Sequence, residues 1–232
     1  MIYWGGYKLI GPCISIFHDE IPWIKDKLQE IPDDIAIEIR LDKQNPNNKL
    51  HIPSQILKDR IIILTVRTVE EGGYFHGDPR ELYKMYSIAI DSDPDYIDIG
   101  VYNSICRSIV NMAIEKGVKT IVSYHNRYWT EPYNELLGIY RDIESLDPNI
   151  IKIVTYATKT RDNYEIIKLH LWRDRDKPLT AFCMGRYGRI SRIYNLLLKG
   201  AITYLTLKDV GTAEGQMRLG EYLWLKEVYR YV

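Results

Sequence analysis

A lysine stands inside a run of residues that otherwise predicts a buried β-strand. In NIIKIVTY, residues 149–156, Lys152 has isoleucine on both sides, although lysine is rarely buried without a partner. One explanation is an edge strand, or a lysine whose ammonium reaches out to water. The alternative is an amine kept for chemistry, because burial and neighbouring positive charge both disfavour the ammonium and a neutral amine attacks ketones.

A histidine directly follows another candidate strand. In VSYHNRYW, His125 comes at the end of an apolar run, and imidazole is the side chain best suited to moving protons near neutral pH. A lone histidine is more often a structural hydrogen-bonding group, but a place at a strand end favours a proton shuttle. The five histidines show neither HxH nor HExxH spacing, so we expect no metal site.

A carboxylate and a guanidinium stand close together in a third candidate strand. In EIRLD, the side chains of Glu38, Arg40 and Asp42 fall on one face, because side chains alternate along a strand. A strand facing solvent would alternate in the same way. If both faces are covered, these charged groups are expected to pair with each other and with a polar ligand.

Further arginines follow candidate strands in segments that contain glycine. Arg67 stands at the strand end that opens TVRTVEEGG, with Glu70 and Glu71 in the loop. In MGRYGRISR, Arg189 and Arg192 lie beside a helix start, where positive charge predicts an anion site. An amine, an imidazole and these arginines together predict Schiff-base chemistry on a small hydroxylated keto acid, with histidine moving protons.

Eight runs rich in β-branched residues would position these groups. They alternate with segments whose apolar residues recur at helical spacing. This pattern over 232 residues predicts an α/β fold, a single (β/α)₈ TIM barrel domain spanning residues 1–232, with an open doubly wound sheet as the runner-up. Residues 1–10 predict a short β-hairpin at the closed end of the barrel. The candidate strands are residues 12–17, 35–42, 60–67, 95–102, 118–124, 149–154, 178–184 and 201–207.

Composition excludes several classes of partner. Lysine and arginine total 31, and so do aspartate and glutamate, so no net charge favours a nucleic acid or a membrane surface. The three cysteines lack CxxC spacing and lie in apolar segments, which indicates a reducing cytoplasm. The N-terminal residues predict neither a signal peptide nor a membrane span.

In combination, these segments resemble the type I 3-dehydroquinate dehydratases, Schiff-base enzymes built on a (β/α)₈ barrel. The resemblance runs through nearly the whole chain in the family's order. Each piece is unspecific alone, but all of them fall at strand ends in register. The pieces are E-I-R-L-D at 38–42, T-V-R followed by E-G-G at 65–73, S-x-H at 123–125, the lysine of I-I-K-I at 150–153, M-G-x-x-G-x-x-S-R at 184–192 and G-Q at 215–216.

The resemblance implies dehydration of 3-dehydroquinate to 3-dehydroshikimate, a step towards aromatic amino acids, without a metal or organic cofactor. Lys152 would form an imine with the C3 ketone, and His125, oriented by Glu71, would remove a C2 proton and then protonate the departing C1 hydroxyl. Members of this family are often dimers, which leaves a homodimer open. The implied substrate-binding residues are Glu38, Arg40 and Arg67 at the ring hydroxyls, and Arg192, Thr212 and Gln216 at the carboxylate under a closing loop.

Three positions depart from the family's pattern. His125 is followed by N-R-Y-W where the family commonly has D-F, Gly100 replaces a glutamate at the end of the fourth strand, and Thr212 replaces the serine of the lid. None of these changes removes a catalytic group.

Two other functions remain open at this point. Another Schiff-base barrel, of the class I aldolase or transaldolase type, also places a lysine on its sixth strand, but such enzymes usually bind phosphate. A barrel that only binds a metabolite would not require both Lys152 and His125.

Overall fold

The computed structural model describes residues 3–4, 7–45, 60–172, 177–208 and 211–229. Within these residues, one sheet contains nine strands that pair in parallel with their neighbours, and a separate antiparallel pair precedes it. The strands are β1 (Tyr3–Trp4), β2 (Tyr7–Lys8), β3 (Gly11–Phe17), β4 (Ala36–Arg40), β5 (Ile62–Thr65), β6 (Tyr96–Gly100), β7 (Lys119–His125), β8 (Ile150–Tyr156), β9 (Leu179–Met184), β10 (Ile202–Thr206) and β11 (Met217–Arg218).

The segments between the barrel strands form the helices. Short 3₁₀ turns at His18–Glu20, Leu28–Glu30, Thr160–Asp162 and Arg186–Gly188 flank several of them. The α-helices of the described residues are α1 (Ile21–Lys27), α2 (Pro79–Asp91), α3 (Cys106–Glu115), α4 (Tyr133–Glu144), α5 (Asn163–Trp172), α6 (Arg189–Leu197) and α7 (Leu219–Val228). In the described part of the chain, none of these helices has the length and apolar character needed to span a bilayer.

The sheet curls so that its first and last strands meet. Strands β3 to β9 pair in chain order, and β10 pairs with β3. At the opposite edge, the amide of Ala201 just before β10 donates to the carbonyl of Leu179 in β9 at 2.9 Å. The two-residue strand β11 pairs with the C-terminal end of β10 on the edge away from β3, through Leu205 and Met217. The observed architecture is therefore the predicted (β/α)₈ barrel and not the open sheet.

Apolar side chains cover both faces of the barrel strands. The larger buried cluster lies between strands and helices and includes Ile37, Ile97 and Ile151. A second cluster contains residues near the starts of the strands, such as Ile63 and Ile150. It also contains Leu9 and Ile10, the two residues that follow the hairpin. Strands buried on both faces explain why the sequence has near-continuous apolar runs.

The N-terminal hairpin is confirmed for the residues that can be described. Tyr3–Trp4 pairs antiparallel with Tyr7–Lys8, while residues 1–2 and 5–6 lie outside the described part of the chain. Leu9 and Ile10 are buried in the cluster that contains the strand starts, and Ile10 N donates to Ala201 O at 3.0 Å. The segment after the hairpin therefore packs at the end of the barrel where the strands begin.

Candidate active site

A cavity of about 250 Å³ lies at the C-terminal ends of the barrel strands. The parallel strands all deliver their last residues to the same end of the barrel, so side chains far apart in sequence meet there. Each of the predicted site residues lines this cavity, namely Glu38, Arg40, Arg67, Glu71, His125, Lys152, Arg192, Thr212 and Gln216.

Lys152 lies in the middle of β8 and is 5% exposed. Its Nζ donates to Asp98 Oδ2 at 2.7 Å and to the Tyr204 hydroxyl at 3.1 Å. The isoleucines on either side of Lys152 in the sequence therefore do not surround its amine, which has polar partners. Strand alternation explains the difference, because the neighbours Ile151 and Ile153 belong to the core cluster between strands and helices, whereas Lys152 points into the barrel.

Asp98, which is fully buried on β6, joins the two cations of the site. Its Oδ1 accepts from Arg67 Nη2 at 2.7 Å and from Ser123 Oγ at 2.6 Å, and its Oδ2 accepts from Lys152. Burial acts to raise the pKa of Asp98, but Arg67 and Lys152 outweigh it and hold the pKa well below its ordinary value. The carboxylate is therefore ionised at neutral pH and balances both positive charges.

His125 ends β7, the strand next to Lys152. Ser123 pairs with Lys152 in the ladder, so two residues later the imidazole stands one layer nearer the cavity mouth. Burial, together with Arg67 and Lys152, lowers the pKa of His125 well below its ordinary value. The imidazole is consequently neutral at pH 7 and able to accept a proton.

Glu71 lies beside this imidazole, on the loop that follows β5. Its Oε1 is 3.8 Å from His125 Nδ1, too long for a hydrogen bond, and it accepts from Arg67 Nη1 at 3.1 Å. Burial raises the pKa of Glu71, and Arg67 opposes that shift. Gly100 makes the position possible, because a Cβ built there would lie 2.0 Å from Glu71 Oε1.

The two carboxylates of EIRLD have different partners. Arg40 forms a bidentate pair with Asp42, with Nε to Oδ1 at 2.7 Å and Nη2 to Oδ2 at 2.9 Å. Glu38 is not its partner; it accepts instead from the hydroxyls of Ser15 and Thr65, the latter at 2.8 Å. Pairing within this strand face is thus confirmed for Arg40 and Asp42 only. Glu38 keeps a hydroxyl-binding character.

Arg192 brings a positive charge to the cavity without a carboxylate partner among the described residues. It is 5% exposed, its Nη2 donates to Glu214 O at 3.1 Å, and its guanidinium lies 4.2 Å from the Phe182 ring centre. Burial, reinforced by Arg189, lowers the pKa of Arg192 to about 10, so it stays charged at neutral pH. Its Nε has no hydrogen-bond partner in the described structure. A bound anion would satisfy this group.

The second arginine of MGRYGRISR lies elsewhere. Arg189 is half exposed and pairs with Glu221 of α7 at 2.8 Å. It does not line the cavity, so the anion site predicted for the segment contains Arg192 but not Arg189.

The loop of residues 211–216 borders the cavity through several of its residues, including Thr212 and Gln216. Gln216 Nε2 donates to Leu205 O at 3.0 Å, and its Oε1 accepts from Thr212 Oγ1 at 3.3 Å. The loop also reaches the neighbouring wall, since the Tyr156 hydroxyl donates to Glu214 Oε2 at 3.1 Å. Thr212 and Gln216, the two loop residues predicted for the site, thus line the same cavity as Arg192.

Several residues that line the cavity were not predicted from the sequence. Tyr204, Phe182 and Arg127 also line the cavity. Side chains alternate along β10, so Tyr204 points to the same side as Ile202 and Thr206. A tyrosine at the centre of a buried strand could have been recognised from the sequence as a candidate for the barrel interior. In the described part of the chain, no cluster of three or more His, Cys, Asp or Glu side chains suited to a metal ion is found.

The chain is similar in sequence over most of its length to proteins of one family. A family model described as type I 3-dehydroquinase matches residues 13–231. The 3-dehydroquinate dehydratase of Thermococcus onnurineus (strain NA1) is 38% identical over 160 residues, covering 69% of this chain and 72% of the relative. That of Pyrococcus abyssi (strain GE5 / Orsay) is 32% identical over 206 residues, covering 89% and 92%.

Solved structures of this kind share the fold. The 3-dehydroquinate dehydratase of Aquifex aeolicus VF5 superposes with a TM-score of 0.76 at 25% identity, over 95% of this chain and 99% of that one. The type I enzyme of Clostridium difficile gives a TM-score of 0.84 at 21% identity, over 95% and 92%. With a family model spanning nearly all of its length, this chain belongs to the type I 3-dehydroquinase family of lyases.

Proposed function

We propose that this protein dehydrates 3-dehydroquinate to 3-dehydroshikimate through a Schiff base on Lys152, with His125 as the general acid and base. The observation that carries the proposal is the pairing of a buried amine and a neutral imidazole on adjacent strands of one cavity. Family membership supports the substrate, and the buried charge of Arg192 supports a carboxylate on it.

The reaction begins at Lys152. Its amine attacks the C3 ketone, and water leaves to give an imine that draws electrons from the neighbouring carbon. His125 is neutral, so it removes a proton from C2 and, once charged, protonates the C1 hydroxyl as that group departs as water. Hydrolysis of the imine by a second water then releases 3-dehydroshikimate and frees Lys152. Glu71, 3.8 Å from Nδ1, orients the imidazole and stabilises it while it carries the proton.

The other cavity residues hold the substrate on two sides. Glu38 and Arg40 lie where they would bind ring hydroxyls, and Arg67 lies beside them while also binding Asp98 and Glu71. Arg192 binds the carboxylate. Thr212 and Gln216, on the loop that borders the cavity, close over the carboxylate and exclude water.

Borohydride trapping tests the imine. Reduction in the presence of 3-dehydroquinate should fix the substrate to Lys152, which is detected as a mass shift on the peptide that contains this residue. The Lys152→Ala variant is the control and should give no adduct. Turnover without any adduct, or an adduct on a different residue, would remove Lys152 from the proposed role.

Two further measurements separate the roles and the substrates. His125→Ala should still form the imine but lose about 10²- to 10⁴-fold in turnover, the usual contribution of a general acid and base. The aldol substrates of class I aldolases and transaldolases, assayed beside 3-dehydroquinate, should be inactive. Turnover of an aldol substrate in preference to 3-dehydroquinate would favour the alternative enzyme class.

A further inference from the structure

Tyr204 on β10 lies against the amine of Lys152. Its hydroxyl oxygen accepts a hydrogen bond from Nζ at 3.1 Å, and Nζ also lies 4.3 Å from the centre of the ring. The ring is 6% exposed and packs edge to face on Phe182, with ring centres 6.2 Å apart. The hydroxyl is therefore held at one place next to the nucleophile.

The hydroxyl of Tyr204 has a hydrogen to give. Its oxygen already accepts from Lys152, and in the described residues Lys152 is its hydrogen-bond partner. Both groups line the cavity, so an oxygen atom of a ligand bonded to Nζ would lie within reach of the phenol. Burial raises the pKa of Tyr204 well above its ordinary value, and Glu38 and Asp98 add to this effect. The phenol is thus protonated throughout the neutral range.

We propose that Tyr204 is a further catalytic residue, which passes protons from the Lys152 ammonium to the ketone oxygen of the substrate while the imine forms. This inference rests on the proposed function, since it requires an imine at Lys152. Asp98, the other partner of Nζ, cannot replace Tyr204 in this step, because a carboxylate with a depressed pKa accepts protons poorly.

The proton balance of imine formation fits such a relay. An ammonium and a ketone give a protonated imine and one water, so two protons must travel from nitrogen to oxygen. In the first transfer, Lys152 gives a proton to Tyr204 and Tyr204 gives its own to the carbonyl oxygen, and the lone pair freed on nitrogen forms the C–N bond. In the second, nitrogen gives another proton by the same route to the hydroxyl oxygen, which leaves as water when the C–O bond breaks and the nitrogen lone pair forms the C=N bond. The phenol is neutral after each transfer.

The test uses Tyr204→Phe, which keeps the ring and removes only the hydroxyl. Single-turnover mixing with 3-dehydroquinate, quenched with borohydride, measures the rate at which the adduct on Lys152 appears. We expect a loss of about 10- to 100-fold in that rate, with KM changed by less than about twofold. Tyr222→Phe is the matched control, since Tyr222 is equally buried on α7 but lies outside the cavity, and should behave as the wild type.

The His125→Ala background separates Tyr204 from the histidine. Adduct formation in His125→Ala should still slow on adding Tyr204→Phe, because the relay acts before the C2 proton is removed. Adduct formation at the wild-type rate in Tyr204→Phe would overturn the relay and leave the proposed function intact. Absence of any adduct in the wild-type protein would instead overturn the proposed function itself.

Discussion

Replacing Gly100 with alanine tests how closely Glu71 must be held against His125. The added Cβ would lie 2.0 Å from Glu71 Oε1 and 2.5 Å from its Cδ. The shorter distance falls about 1.4 Å below the 3.4 Å at which ordinary contact begins. A carboxylate moved that far loses its 3.1 Å bond to Arg67 and its place beside the imidazole.

The displaced side chain has somewhere to go, so the variant is expected to fold. A second cavity, of about 500 Å³, borders both Glu71 and His125 on the side that includes Tyr102 and Asn103. Misplacement of a catalytic group by about 1 Å costs roughly 10²-fold, so we expect kcat to fall by about 10- to 100-fold. Overpacking should cost about 1–3 kcal/mol in the free energy of unfolding. Steady-state kinetics and urea unfolding measure the two effects.

Two companion variants decide whether the loss acts through Glu71. Gly138→Ala on α4 places its Cβ in open space, so kcat should be unchanged. Glu71→Ala removes the carboxylate with which the new methyl group collides, and adding Gly100→Ala to it should then cost nothing further in kcat. Two results would refute the reasoning. One is a kcat of Gly100→Ala within about twofold of the wild type, and the other is a double variant whose loss in kcat equals the product of the losses in the two single variants.

Three other variants test the electrostatics of the site. Asp98→Asn leaves Arg67 and Lys152 buried without a carboxylate, so we expect a loss of about 3–5 kcal/mol at pH 7 by urea unfolding. Because the pKa of Asp98 is depressed in the folded state, the stabilisation that its carboxylate provides is lost as pH falls below about 4. The difference in the free energy of unfolding between wild type and Asp98→Asn should therefore become smaller at low pH. The pKa of His125 is lower in the folded protein than in the unfolded chain, so protonation of the unfolded chain should destabilise the wild type as pH falls through about 6.5. The melting temperature of His125→Gln should fall less over the same pH range. Arg192→Gln should raise KM by about 10- to 100-fold without lowering the melting temperature, since it removes a buried charge that has no carboxylate partner in the described residues.

The barrel, and the end of it where the cavity lies, were predictable from local patterns. Runs of β-branched residues marked strands, and the carboxyl ends of parallel strands must converge. Arg192, 152 residues after Arg40, therefore reaches the same cavity although no spacing rule connects the two. The positions of residues relative to the strands therefore predict the end of the barrel at which each residue lies.

Pairings across the barrel were not predictable in the same way. Asp98 and Lys152 are separated by 54 residues, and their contact depends on the register of strands β6 to β8. Arg40 had two carboxylates on its strand face, and only side-chain geometry decides between Glu38 and Asp42. Partner choice is a property of the assembled sheet and has no local sequence signal.

The periodicity of apolar residues does not predict the shortest elements of the fold. Met217 and Arg218 pair with β10 as a strand, and the last helix begins only after them, at Leu219. A two-residue strand is too short to show alternation. Its position on the edge of β10 has a structural reason, since it holds the end of the loop that carries Gln216 against the barrel.

The ion pair of Lys152 with Asp98 bears on the charge carried through the proposed reaction. Nitrogen is positive as an ammonium and positive again as a protonated imine, so the counter-ion needed at the start is the one needed by the intermediate. Asp98 is fully buried and fixed by Arg67 and Ser123, so it does not have to reorient between these states. The buried carboxylate of Asp98 thus provides, before any substrate binds, the negative charge that the proposed covalent intermediate would require.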